Sequence, residues 1–168
     1  MNLYVMRHGR TNYNDLELCN DDPNTDVHLD EIGKQQAREA AERLRDAKLD
    51  RIIVSPLPRT RQTAEFINHY HQVPIDVHED IADIRSGFDG RAVGEYFAAT
   101  ARDPLNARVN GGESLLDHKR RVLGFIHWLQ RQPQENILVV AHEETLRVLH
   151  THFHHLPPEQ RQDHYPPD

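Results

Sequence analysis

Three short runs rich in apolar and β-favouring residues punctuate the chain, at Leu3-Tyr4-Val5-Met6, at 51–55 and at 136–141, and a stretch with helical periodicity follows each of them. Runs of this length rich in Val, Ile and Leu predict strands over 2–6, 51–55 and 136–141. After Asp30, a side chain suited to cap a helix, Ile32, Ala37, Ala40, Ala41 and Leu44 recur at helical spacing and predict a helix over 30–47. Ser114 followed by Asp117 has the form of a capping box, with Asp in place of the usual Glu. Leu115, Val122, Ile126 and Leu129 carry that helix on until Pro133 stops it. Strands separated by helices of this length imply a mainly parallel sheet covered on both faces. The expected fold is α/β, a three-layer α/β/α sandwich whose site lies at the carboxyl ends of the strands.

Between residues 80 and 108 the periodicity weakens and Gly87, Gly90 and Gly94 appear. That segment reads as a loop-rich insertion with a short helix over 95–100, placed to act as a lid. The stretch 156–168 holds four of the ten prolines and almost no apolar residues, so it reads as an exposed tail after a single domain spanning 1–155.

Composition narrows the partners. With 168 residues and 37% hydrophobic content, one domain with a real core is expected. A formal net charge of −7 makes nucleic acid an unfavourable partner, and no apolar stretch is long enough to cross a bilayer. Cys19 is the only cysteine, which excludes an internal disulfide framework, and the first residues lack a basic segment followed by a long apolar run. A cytoplasmic location is the expectation. An acidic chain repels phosphorylated ligands, so any anion site must be made locally by arginines such as Arg7 and Arg59.

Candidate chemistry begins at Arg7-His8-Gly9, directly after the first apolar run, where a sheet presents side chains to a ligand. Four further segments follow in order: 29–37 (LDEIGKQQA), 55–64 (SPLPRTRQTA), 111–114 (GGES) and 139–142 (VVAH). In kind, order and spacing these segments resemble the histidine phosphatase superfamily, which includes the cofactor-dependent phosphoglycerate mutases, over residues 3–150.

The resemblance implies a phosphoglycerate mutase-like fold and phosphoryl transfer without a metal ion or other cofactor. It makes His8 the nucleophile, attacking phosphorus as a neutral imidazole to form a phosphohistidine that water then hydrolyses. It places Arg7 and Arg59 around the phosphate oxygens, with His142 as the second histidine on the transferring group and Asn14 as an amide donor. The general acid is the weakest match. The family pattern of Leu-x-Glu followed by Gly and Glu-Gly finds its nearest counterpart in Ile81-Ala82-Asp83 with Gly87 and Asp89-Gly90, which makes Asp83 the candidate. An Asp needs burial or a neighbouring negative charge to stay protonated near neutral pH. Glu143 stands where the family usually has Gly, and its carboxylate either repels phosphate or pairs with an arginine.

The chain therefore reads as a phosphomonoesterase acting on a small phosphorylated metabolite. Phosphoglycerate mutase-type transfer and phosphohistidine-protein phosphatase activity are the alternatives within the family. Other signatures fail on single residues. A Cys-x5-Arg loop from Cys19 meets Thr25, a phosphate-cradling glycine before Gly33-Lys34 is His28, and a zinc-protease helix from His142 meets Leu146. Two non-enzymatic readings remain: a phosphate sensor silenced by Glu143, and metal binding by His150, His152, His154 and His155. Arg10 and Arg61 read as surface charges. No motif sets the substrate or the oligomeric state.

Overall fold

A computed structural model of the chain describes residues 1–154. Among them, four parallel strands form one sheet: β1 (Asn2–Arg7), β2 (Arg51–Val54), β3 (Ile75–Val77) and β4 (Asn136–Ala141), in the order β1-β4-β2-β3. β4 lies between β1 and β2 and is buried along its whole length, which is why its sequence is apolar without alternation from Ile137 onward.

The period of two in the strands divides the core. Ile52, Val54, Leu138 and Val140 face helices α2 (Glu31–Arg43) and α3 (Pro58–Asn68), where Ala40, Ala41, Ala64 and Ile67 meet them. Ile53, Ile137, Val139 and Ala141 face the other way, onto α5 (Leu115–Leu129) and α6 (Glu143–His154). Phe125 is fully buried in that second layer, so its removal should cost about 3–5 kcal/mol. The three-layer α/β/α architecture expected from the sequence is the one observed.

Local signals set the helix starts. Asp30 accepts from the backbone N–H of Gly33, and Ser114 and Asp117 form the reciprocal capping box of α5. α2 closes at Arg43, four residues short of the expected end, and Ile32 is exposed rather than in the stripe. α5 ends at Leu129 with Gln130 as its cap, so Pro133 falls in the following turn and does not itself terminate the helix. The three-residue edge strand β3 gave no sequence signal, being short and half-polar. Short helices α1 (Asn12–Leu16) and α4 (Val93–Thr100) complete the described set, with a 3-10 turn at Glu79–Ile81. The expected tail over 156–168 lies outside the described residues, and among those described no helix is long and apolar enough to cross a membrane.

Candidate active site

Neighbouring strands explain how two histidines remote in sequence come together. Arg7 of β1 pairs with Ala141 of β4, so His8 and His142, each the next residue, leave the sheet side by side. Their ring centroids are 5.3 Å apart and their planes inclined at 62°. The His8 backbone N–H still donates to Ala141 O, at 3.1 Å. The following Gly9 is packed so closely that an added Cβ would lie 2.5 Å from Gly33 O, which leaves room for no side chain between the β1 loop and the first turn of α2.

The His8 ring has defined partners at both nitrogens. Nδ1 lies 2.7 Å from Gly9 O, an acceptor only, so the ring proton is assigned to Nδ1. Nε2 is then a lone pair, and Arg59 donates its Nε–H to it at 3.3 Å. Burial, and next the Arg59 guanidinium, hold the His8 pKa well below the ordinary histidine value. The imidazole is neutral, and its nucleophilic nitrogen faces a cation.

Arg59 sits in the first turn of α3, behind Pro58, and is 5% exposed. Its Nη1 donates to Asn20 Oδ1 at 2.8 Å and its Nη2 to Asn20 O at 3.0 Å. Nη2 also reaches Asp83 Oδ2, at 3.3 Å. Asn20, which the sequence reading did not single out, thus sets the plane of this guanidinium. Asp89 in turn pins the Asn20 loop by accepting from Asn20 Nδ2 and from the Asp21 backbone N–H. Thr63 ties the assembly to β1, since its hydroxyl accepts from Gly9 N–H and donates to Arg59 O.

Asp83 follows the Glu79–Ile81 turn, with its side chain 28% exposed. Burial raises its pKa above the usual carboxylate value, opposed by Arg59 and by the Ile84 N–H that Oδ1 accepts. Its backbone is clamped from α5. Arg121 donates to the carbonyls of Asp80, Ala82 and Asp83, and forms an ion pair with Glu113 of the GGES segment. Glu113 also accepts from Arg85 N–H at 3.0 Å. Arg121 carried no motif of its own; the contact is long-range and appears only once α5 lies against the turn.

His142 is 1% exposed and bonds Ser55 Oγ through Nε2 at 2.7 Å. Ser55 Oγ already accepts from Leu57 N–H, so its own proton can go to Nε2, which puts the His142 proton on Nδ1. That Nδ1 has no hydrogen-bond partner and lies 3.8 Å from Asp83 Oδ2. A buried orphan donor beside the cavity is a place where a ligand atom is expected. Burial, then Arg59, keeps this ring neutral as well.

Arg7, Asn14, His8, Arg59, Asp83 and His142 all line one cavity of about 270 Å³. All six candidates are therefore brought together, though not on equal terms. Asn14 spends its Oδ1 on the Thr11 capping box, leaving only its amide NH₂ as a donor. Glu143 pairs with Arg147, the outcome in which the carboxylate does not simply oppose phosphate. Residues of the 80–108 segment, among them Ile84, Val93, Tyr96 and Phe97, line the same cavity. Cys19 also lines the cavity, but burial pushes its thiol pKa up, which is unfavourable for a nucleophilic thiolate. Arg10 pairs with Asp15 and Asp30, and Arg61 is exposed, so both are surface charges as expected. The His150 and His154 rings lie 4.3 Å apart, tilted by 37°, but among the described residues no group of three or more metal-type ligands converges.

A doubly covered parallel sheet that delivers two neutral histidines and two arginines to one pocket defines a phosphoryl-handling α/β protein. The profile of the histidine phosphatase superfamily (branch 1) matches residues 3–166, and the chain belongs to that family. It is 34% identical over 149 residues to the uncharacterized phosphatase PhoE of Bacillus subtilis, covering 88% of this chain and 74% of the relative. It is 31% identical over 158 residues to the adenosylcobalamin/alpha-ribazole phosphatase of Salmonella typhimurium, covering 89% and 77%. Among solved structures, the alpha-ribazole phosphatase of Shigella flexneri superposes with a TM-score of 0.86 at 26% identity, covering 97% of this chain and 84% of that one.

Proposed function

We propose that the protein is a phosphomonoesterase that hydrolyses small phosphorylated compounds through a phosphohistidine on His8. The observation that carries this reading is the unprotonated Nε2 of His8, held neutral by burial and facing Arg59. Membership of a family whose relatives are phosphatases supports it.

In this reading Nε2 attacks phosphorus while the bond to the ester oxygen breaks. Arg7 and Arg59, the Nδ1–H of His142 and the amide of Asn14 hold the three equatorial oxygens, whose charge grows in the transition state. Arg59 switches the hydrogen bond of its Nε–H from the His8 lone pair to a phosphoryl oxygen and keeps its proton, freeing that lone pair to react. Asp83, whose pKa burial raises, serves as the acid and gives its proton to the departing alkoxide. The resulting carboxylate then takes a proton from the water that attacks the phosphohistidine, so phosphate leaves and both groups return to their starting states. These residues do the charge stabilisation themselves, and no step draws on a metal.

The experiment is p-nitrophenyl phosphate hydrolysis, with and without EDTA, by the wild type and by His8→Ala. EDTA-resistant turnover that disappears in a folded His8→Ala protein is expected. A base-stable, acid-labile phosphoenzyme should be trapped in the wild type alone. Full activity in folded His8→Ala would overturn the mechanism.

A further inference from the structure

The alcohol side of the cavity is built differently from the phosphate side. The buried orphan Nδ1 of His142, with Arg7, His8 and Arg59, marks where the phosphoryl group sits, and Asp83 marks the ester oxygen. The same cavity is also lined by Tyr96 and Phe97 of α4 and by Glu143 and Glu144 at the start of α6. Glu144 lies close enough to Tyr96 for its charge to act on the phenol, and while burial raises the Glu144 pKa, the Arg147 guanidinium opposes that shift. Beyond the phosphate cluster, the guanidinium lining the cavity among the described residues is Arg147, and it bridges both carboxylates, Glu143 Oε1 at 3.1 Å and Glu144 Oε1 at 3.0 Å. Two carboxylates on one guanidinium leave this wall net negative.

We infer that Glu143 and Glu144 determine specificity, and that the substrates are monoesters of alcohols that carry no second anion, either uncharged or cationic, with an apolar face toward Tyr96 and Phe97. The inference rests on the phosphomonoesterase reading above. A second phosphate or a carboxylate on the alcohol would meet a like charge in a partly desolvated cavity, with Arg147 already engaged. An ammonium group there meets two carboxylates and the aromatic faces of Tyr96 and Phe97.

Three aryl esters of similar size test this: phenyl phosphate, 4-carboxyphenyl phosphate and 4-(aminomethyl)phenyl phosphate, assayed by phosphate release with the wild type, with Glu144→Gln and with the Glu143→Gln/Glu144→Gln double variant. Comparing substrate ratios between proteins cancels the differences in leaving-group chemistry. One like-charge contact is worth on the order of tenfold in kcat/KM. The carboxylated ester should therefore fall about tenfold below phenyl phosphate in the wild type, with the aminomethyl ester at or above it. Both gaps should narrow in Glu144→Gln and shrink further in the double variant. Substrate ratios that stay the same in the wild type and in the folded variants would overturn the selectivity while leaving the phosphatase reading intact. Failure of the wild type to hydrolyse phenyl phosphate and p-nitrophenyl phosphate alike would overturn both.

Discussion

Arg59 donates its Nε–H to the Nε2 of His8 across 3.3 Å, in a site where both side chains are buried. The contact does two things at once. It fixes the imidazole rotamer with its lone pair toward the cavity, and it keeps a cation where a phosphoryl oxygen will carry charge. Asn20, through two acceptors on the other guanidinium nitrogens, prevents Arg59 from turning away.

Arg59→Ala should lower kcat for p-nitrophenyl phosphate by about 10²–10³, the range seen when one oxyanion donor is removed. Asn20→Ala should give a smaller loss in the same direction, because Arg59 survives without its orientation. Steady-state kinetics on both variants check the order. An Asn20→Ala protein as active as the wild type would remove Asn20 from any positioning role.

Asp83→Asn should impair alkyl phosphates far more than p-nitrophenyl phosphate, whose leaving group departs without a proton. Because burial raises the Asp83 pKa, loss of its proton with rising pH should give alkyl phosphates a descending alkaline limb that the nitrophenyl ester lacks. A pH-rate profile for each substrate shows the limb directly. Equal losses on both esters would take the acid role away from Asp83.

Arg121 never touches the cavity, yet it holds three carbonyls of the Asp83 turn and the part-buried Glu113. Arg121→Ala should destabilise the fold by about 1–3 kcal/mol, the cost of stranding buried polar groups. It should also cut activity on alkyl esters more than on p-nitrophenyl phosphate. Arg121→Lys can keep the ion pair without the three-carbonyl fork, so stability should recover more than the alkyl-to-aryl ratio. Denaturant melts and the two assays separate these effects.

His118, buried on α5 beside Thr145, has its pKa pushed down to about 4, chiefly by burial. A histidine that titrates near 6.5 unfolded and near 4 folded takes up a proton on unfolding between those values, so stability falls as pH drops through that window. His8 and His142 act in the same direction, while the raised carboxyl of Asp83 partly offsets them. The slope is about 1.4 kcal/mol per pH unit for each group fully in its window. Urea midpoints between pH 7 and 5 should decline, and His118→Gln should flatten the decline. An unchanged slope in His118→Gln would show that this imidazole is not held neutral.

Much of the molecule is written in short-range pattern. The continuous apolar run of β4, the Asp30 cap and the Ser114–Asp117 box are local features, decided by side-chain periodicity and by which groups can satisfy a helix end. His8, Arg59 and His142 were legible through the resemblance of their segments to the family rather than through local pattern alone. The sequence by itself thus determined the fold class and the family, and it named residues that the fold brings to one cavity. Tertiary structure alone decided which nitrogen of His8 is free, that Asn20 orients Arg59, that Arg121 clamps the Asp83 turn and that Arg147 bridges Glu143 and Glu144. The first three rest on hydrogen-bond geometry between parts of the chain that meet only when sheet and helices pack. Although Arg147 lies only one helical turn from its partners, its consequence depends on the face of α6 turned toward the cavity. Such contacts leave no periodicity to read, because their partners are selected by position in space rather than by spacing along the chain.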